Sequence, residues 1–224
     1  MDAREVLVEY EGVFLDKGCL FVSTTGKFLT GYVNCEVIYP YYPVVNDLVA
    51  QLITPFLNEV EGFVCPATGD IVLAEYATKM ANELGTPTTA VWADKHGDGP
   101  DSTYHIERNG YAKAIRGRKV LVLNDRISQG GTTRKVIAEA RRLGCDVLGV
   151  ATLAGVSAAT SDALDVPTVH ALSVIDVQAF SPDAVPTEYQ GLPIAIDEPL
   201  GHGAEYKEKI NPDYPHGWVT LMSV

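Results

Sequence analysis

Residues 120–138 read Val120-Leu-Val-Leu-Asn-Asp-Arg-Ile-Ser-Gln-Gly-Gly-Thr-Thr133, then Arg134-Lys-Val-Ile-Ala138. The apolar run at 120–123 has the length and character of a buried strand. It ends in the polar pair Asn124-Asp125, passes through a turn holding Gly130 and Gly131, and enters a helix. That helix places Val136, Ile137, Ala140 and Leu143 at helical spacing and stops at Gly144, a natural residue just past a helix end. Successive backbone N–H groups in a glycine turn, leading into a helix N-terminus, form a pocket for a phosphate. The Asp125 carboxylate, just before that pocket, is suited to a sugar diol. Together the two features suit a ribose 5-phosphate.

Outward from this segment, helices and strands alternate. A leading helix is expected over 3–15, weakened by Gly12, and short strands over 19–23 and 31–36. A helix follows over 44–57, ending near Pro55, then a brief buried strand at 63–65 and a helix over 71–84 closed by Gly85. Strands are expected at 88–92, 104–107, 147–154 and 169–174. The stretch 94–102, with glycine and proline at 97, 99 and 100, reads as a mobile loop. Alternation of this kind predicts an α/β fold, a mainly parallel sheet flanked by helices. Such sheets bind ligands at the carboxyl ends of their strands. Asn124, Asp125 and the run Pro66-Ala-Thr-Gly-Asp70 all fall there.

The 224 residues suit a single domain. A net charge of −12 argues against a nucleic-acid partner, which would need a basic surface. No apolar stretch is long enough for a membrane helix, and residues 1–5 carry acids rather than a signal sequence. The four cysteines lie in or beside apolar runs without a Cys-x-x-Cys pair, and read as buried free thiols in a reducing, cytoplasmic setting. His105, His170, His202 and His216 lack the spacing of zinc ligands.

The 120–133 segment resembles the signature of the type I phosphoribosyltransferases, which bind 5-phosphoribosyl 1-pyrophosphate (PRPP). It keeps Asp125, Gly130, Gly131 and Thr132. It departs with Asn124 for the first acid, Arg126 for an apolar residue and Ser128-Gln129 for two threonines. Further stretches are similar to orotate phosphoribosyltransferases and their close relatives. These are Phe21-Val-Ser-Thr-Thr-Gly-Lys27, Tyr32-Val-Asn34 with Ile38-Tyr-Pro40, the loop 66–70, Ala93-Asp-Lys95, Asn109-Gly-Tyr111, Ile115-Arg-Gly-Arg-Lys119, Gly191-Leu-Pro-Ile194 and Gly201-His-Gly203. The likeness covers roughly residues 10–204.

The resemblance implies a single domain of core roughly 41–180, with a small hood built from roughly 1–40 and the C-terminal segment. It implies transfer of ribose 5-phosphate from PRPP to a pyrimidine or related base, orotate favoured, with release of pyrophosphate. Asn124, Asp125, Ser128, Gln129, Gly130, Gly131 and Thr132 would hold the ribose and 5-phosphate. Thr68, Gly69, Asp70 and Lys95 would hold pyrophosphate, and Lys27 and Tyr32 the base. Asp125, Lys95 and His96 would be catalytic. Magnesium would arrive with PRPP, without direct protein ligands, and the enzyme would be a homodimer. A second reading keeps the fold and a PRPP or nucleotide pocket but loses turnover, in a regulatory role; Asn124, Asp70 and Gln129 favour it. Plainer roles stand beside these: Asp70 as a helix cap, Lys95 and His96 as exposed loop residues, Lys27 as a turn residue, Arg134 and Lys135 as a solvated helix face.

Overall fold

In the computed structural model, which describes residues 1–97 and 101–222, the chain divides into two compact units. Met1–Tyr10 and Cys35–Ile175 form the larger, and Glu11–Asn34 with Asp176–Val224 the smaller. The first ten residues, expected in the hood, therefore belong to the larger unit.

The larger unit is built on a six-stranded sheet in the order Val169–Val174, Asp146–Gly155, Lys119–Ile127, Gly62–Pro66, Thr89–His96, Thr103–His105. All pairings are parallel except the last, which is antiparallel. The central strands carry unbroken apolar runs because helices cover both faces. Phe63, Val64, Cys65, Val120, Leu121, Val122 and Leu123 are all fully buried. The helices Tyr42–Ile53, Asp70–Glu83 and Gly131–Arg142 supply the covering layers.

Several element boundaries differ from expectation for local reasons. The first helix stops at Glu9 rather than 15, since Glu11 takes a positive φ of 57° that no helix accommodates; Val13–Leu15 is a strand of the smaller unit. The 44–57 helix runs Tyr42–Ile53, with Pro43 in its first turn, where a missing N–H costs nothing; Thr54–Phe56 continues as a 3-10 turn around Pro55. Cys19 and residues 34–36 fall outside the strands Phe21–Val22 and Gly31–Val33.

The largest correction concerns the stretch 94–102. Asp94, Lys95 and His96 pair with His105, Tyr104 and Thr103 as an antiparallel hairpin, so the first third of the expected loop is regular strand. Positions 98–100 lie outside the described residues. Asp94 accepts two hydrogen bonds from Arg108, both 2.8 Å, which hold its carboxyl below the usual range, and the guanidinium sits 5.1 Å from the Trp92 ring centroid.

The smaller unit pairs Val13–Leu15 with Gly31–Val33, builds a three-stranded sheet from Ala179–Phe180, Phe28–Leu29 and Phe21–Val22, and pairs Ile194–Ala195 with Trp218–Val219. The tail after 204, silent in the sequence, is thus structural. The Asp197 carboxylate accepts from the amides of Leu221 (2.9 Å) and Met222 (3.0 Å).

One buried acid ties the hairpin to the helix of the opening segment. Glu139 is 4% exposed. Its carboxylate accepts from the Ile106 amide (2.8 Å) and from Arg142 (2.6 and 2.8 Å), and the Arg142 bonds foremost hold its carboxyl below the usual range. A folded-state value below the unfolded one contributes stability above pH 4.5, which is lost as the pH falls through the lowered value. Glu139→Ala is expected to cost about 1.5–3 kcal/mol in urea unfolding at pH 7, since charged hydrogen bonds are lost and an amide is left unpaired. The gap from wild type should narrow in acid; a gap independent of pH would show that the charge contributes nothing.

Candidate active site

Parallel register sets the site. Pairing of Gly62, Phe63 and Val64 with Val120, Leu121 and Val122 brings Pro66 level with Asn124, and Pro66 also pairs with Ala93. The loops that leave these strands, residues 66–70 and 127–131, therefore start side by side at the carboxyl edge of the sheet, with Lys95 one residue pair further along.

The 127–131 turn has the form of an anion cradle. Gly130 has φ +71°, and a Cβ there would meet Leu164 Cδ2 at 2.6 Å and Arg134 Nη1 at 3.1 Å, so both backbone and space require glycine. The first intrahelical bond is Arg134 N–H to Gly130 O, 2.9 Å. The amides of Gly131, Thr132 and Thr133 precede it, so they have no carbonyl within the helix to donate to. Ser128 and Gln129 are exposed at the turn. Arg134, read from sequence as a solvated residue, instead folds back: Nη2 donates to Gln129 O (2.8 Å) and Nη1 to Ala163 O (3.2 Å). It braces the cradle and places a guanidinium beside it. Lys135 Nζ donates to Ser102 Oγ, 3.2 Å.

Asn124 and Asp125 differ in availability. Asn124 is buried; its Nδ2 donates to Thr133 Oγ1 (3.0 Å) and its Oδ1 accepts from the Arg126 amide (3.3 Å). It ties the strand end to the first helical turn. Asp125 is partly exposed, and its main chain is held on both sides. Its N–H donates to Asp70 Oδ1, and its carbonyl accepts from Thr152 Oγ1 (3.1 Å) and Cys35 Sγ (3.4 Å). Burial pushes the Asp125 carboxyl up, while the Arg126 guanidinium opposes this.

The 66–70 loop carries Thr68, Gly69 and Asp70 into the helix Asp70–Glu83, through a cis Ala67–Thr68 peptide. Asp70 does not cap this helix: Gly69 holds the cap position and no side chain accepts there. Its carboxyl, 8% exposed, turns to the Asp125 amide instead. A Cβ at Gly69 would meet the end of the Glu36 side chain, which places that carboxylate against the loop. Three acids thus converge at this loop, and sequence reading missed Glu36. Burial first, then the Asp125 charge, raises the Glu36 carboxyl. The hydroxyl of Tyr39 is buried without a hydrogen-bond partner, and burial and the same acids push its ionisation up.

Lys95 is exposed on its strand, where it pairs with Tyr104. His96 is turned to the hairpin's other side, with Nε2 2.7 Å from Glu107 Oε1 and its ring 5.4 Å from that of His105. Lys27 and Tyr32 belong to the smaller unit. The Lys27 amide donates to Ser23 Oγ (3.0 Å) in a turn, and the Tyr32 ring lies 5.9 Å from Phe21. The four cysteines are buried and free.

No profile of a known protein family matches the sequence. Curated relatives do. Orotate phosphoribosyltransferase of Caldanaerobacter subterraneus is 25% identical over 87% of this chain and 96% of its own length. That of Desulforamulus reducens is 28% identical over 85% and 94%. Among solved structures, Aeropyrum pernix orotate phosphoribosyltransferase superposes with a TM-score of 0.61 at 18% identity, covering 78% of this chain and 94% of that one. Adenine phosphoribosyltransferase of Rhodothermus marinus gives 0.54 at 20% identity, over 77% and 98%. This chain has the type I phosphoribosyltransferase fold. The proteins it resembles are phosphoribosyltransferases, and therefore enzymes. In this fold the cradle at 127–131 and the loop at 66–70 occupy the ligand-binding edge of the sheet.

The cradle yields a direct test. Gly130→Ala forces a side chain into the left-handed region and against Leu164, and should lower stability by about 1–2 kcal/mol. Inorganic phosphate should protect the wild type against thermal unfolding and leave the variant unprotected. Equal protection of both would show that the anion binds elsewhere.

Proposed function

We propose that this protein transfers ribose 5-phosphate from PRPP to a pyrimidine base, orotate favoured, releasing pyrophosphate. The observation that carries the reading is the pair of level strand ends: a helix-N-terminal phosphate cradle on one, the 66–70 loop on the next, and the Asp125 carboxylate between them. The names of the curated relatives support the base.

In this reading the amides of Gly131, Thr132 and Thr133 receive the 5-phosphate, and Ser128 and Gln129 line the turn. Asp125 accepts from a ribose hydroxyl. As the C1–O bond to pyrophosphate breaks, the electron pair leaves with pyrophosphate, the lone pair of a ring nitrogen forms the new bond to C1, and the proton that nitrogen carried passes to the departing pyrophosphate or to water. Positive charge grows on the ribose, and a fixed carboxylate beside it stabilises that charge without reorganising. Thr68 and Gly69 contribute the 66–70 loop, and Lys95 supplies a cation from the hairpin. Asn124 acts through the geometry of the strand end, not by touching ribose, and His96 acts through Glu107. Lys27 and Tyr32 remain the base-side residues of the proposal, and a homodimer in the cytoplasm its setting.

Magnesium belongs to the same proposal, arriving on PRPP. Among the described residues no group of three or more His, Cys, Asp or Glu is disposed to hold a metal ion. A hard cation of this kind commonly keeps substrate phosphates and water as its main donors. Bound so, it would screen pyrophosphate charge beside the acids of the loop.

Asp70, committed to Asp125 at the pyrophosphate loop, favours the second reading, a binding protein without turnover. Calorimetry and product analysis separate the two. PRPP with magnesium should bind, and Asp125→Asn should weaken binding by about 1.5–3 kcal/mol, the range for hydrogen bonds to charged groups. Pyrophosphate release on adding orotate establishes the transferase; PRPP binding without release from any free base establishes the binding protein. Lys95→Ala should lower turnover more than PRPP affinity, as expected of a contact made chiefly in the transition state.

A further inference from the structure

A cradle of main-chain donors holds an anion only while its peptide planes keep their N–H groups turned outward. Arg134 fixes one of those planes. The Gln129–Gly130 peptide is trans, so the Gln129 carbonyl and the Gly130 N–H point in opposite directions. Arg134 Nη2 donates to that carbonyl at 2.8 Å. The bond therefore sets the direction of the Gly130 N–H as well, away from the arginine. Gly130 is buried, and its amide donates to no group among the described residues. A buried donor left in that state costs free energy until a ligand takes it. Leu164 Cδ2 and Arg134 Nη1 fill the side of Gly130 where a Cβ would stand, so leucine and arginine together back the turn.

The guanidinium is itself held from a second side, where Nη1 donates to Ala163 O at 3.2 Å. Arg141, two turns along the same helix face, donates to Asp165 Oδ2 at 2.7 Å and to the Asp165 carbonyl. Arg134 and Arg141 together anchor the 161–165 segment, whose Leu164 lies against Gly130. Resting on the transfer reading above, we propose that Arg134 is a positioning residue for the 5-phosphate. Its fork spans Gln129 O and Ala163 O and holds the Gly130 N–H as a further cradle donor beside those of Gly131, Thr132 and Thr133. A charged donor on the carbonyl also polarises the peptide and strengthens the N–H at its other end. In a chain of net charge −12, this fixed cation offsets part of the repulsion that an incoming phosphate meets. Lysine is no substitute, because an ammonium is a point charge without the planar fork.

The test reads the amide itself. In the nitrogen-labelled intact chain, NMR titration with inorganic phosphate should move the Gly130 amide proton downfield together with those of Gly131, Thr132 and Thr133. A Gly130 amide that ignores phosphate while its neighbours respond would overturn the proposal without any variant. Arg134→Ala should weaken phosphate binding about tenfold, the loss of one charge-assisted hydrogen bond, and abolish the Gly130 response. Arg134→Lys should lose most of the same affinity. The ratio of wild type to Arg134→Ala should persist in about 1 M sodium chloride, where the Debye length is about 3 Å. A ratio that collapses there, or full affinity in Arg134→Lys, would show that the arginine acts as a charge alone. Arg141→Ala loosens the same segment without touching Gln129, and should lower Tm yet keep phosphate affinity. Equal loss of affinity in Arg141→Ala would reduce Arg134 to a structural brace and overturn the proposal. In turnover with orotate, Arg134→Ala should raise KM for PRPP about tenfold at little-changed kcat, the pattern of lost uniform binding; unchanged KM would overturn it. A wild type whose Gly130 amide answers phosphate but which binds no PRPP would defeat the transfer reading and keep the role of Arg134.

Discussion

The bond from the Asp125 amide to Asp70 joins the two loops on which the site depends. Parallel register alone sets the strands ending at Pro66 and beyond Asn124 side by side, but strand ends fray where the ladder stops. Here the ladder is continued by a side chain. Asp70 takes the place of the next main-chain acceptor, and Thr152 and Cys35 hold the carbonyl of the same residue. Asp125 is thereby locked in both directions at the point where regular pairing gives out. Preorganisation of this kind is what electrostatic catalysis requires, because a group that need not move costs nothing to align.

A second layer of support lies behind the cradle. Asn124 reaches Thr133 across the turn, and Arg134 folds back onto the carbonyl of Gln129. Each bonds across the turn, and each draws the helix start against the strand end. Glu139, two turns further on, fastens the same helix to the hairpin segment that follows Thr103–His105. Phosphate cradle, helix and hairpin are one mechanically connected piece.

Much of this was legible in the sequence. The apolar runs, the glycine stops and the alternation of periods fixed the sheet and its carboxyl edge, because each is a local signal. The positive φ of Gly130 follows from its place before a helix. What stayed hidden were long-range pairings between polar side chains. Glu36 is 34 residues from Asp70 in sequence, Glu139 is 33 from Ile106, and nothing local marks either as a partner. Asp70 had the residue type and position of a helix cap, and a competing acceptor-seeking amide on another strand took it. Arg134 had the spacing of a solvated face, and the carbonyl of Gln129 recruited it. The hairpin was missed because glycine and proline in the run read as loop, whereas the pairing of Asp94, Lys95 and His96 with His105, Tyr104 and Thr103 is a contact between strands that no local signal marks. In each case a pairing that local sequence signals do not carry set the outcome.

The clamp formed by Asp197 bears on how this protein should be handled. Its carboxylate holds the amides of Leu221 and Met222, and the strand Trp218–Val219 lies just before them. A version of the chain trimmed ahead of Trp218 would lose both the parallel partner of Ile194–Ala195 and the two donors to a buried carboxylate, so shortening the chain there costs the smaller unit far more than the loss of a loose tail would.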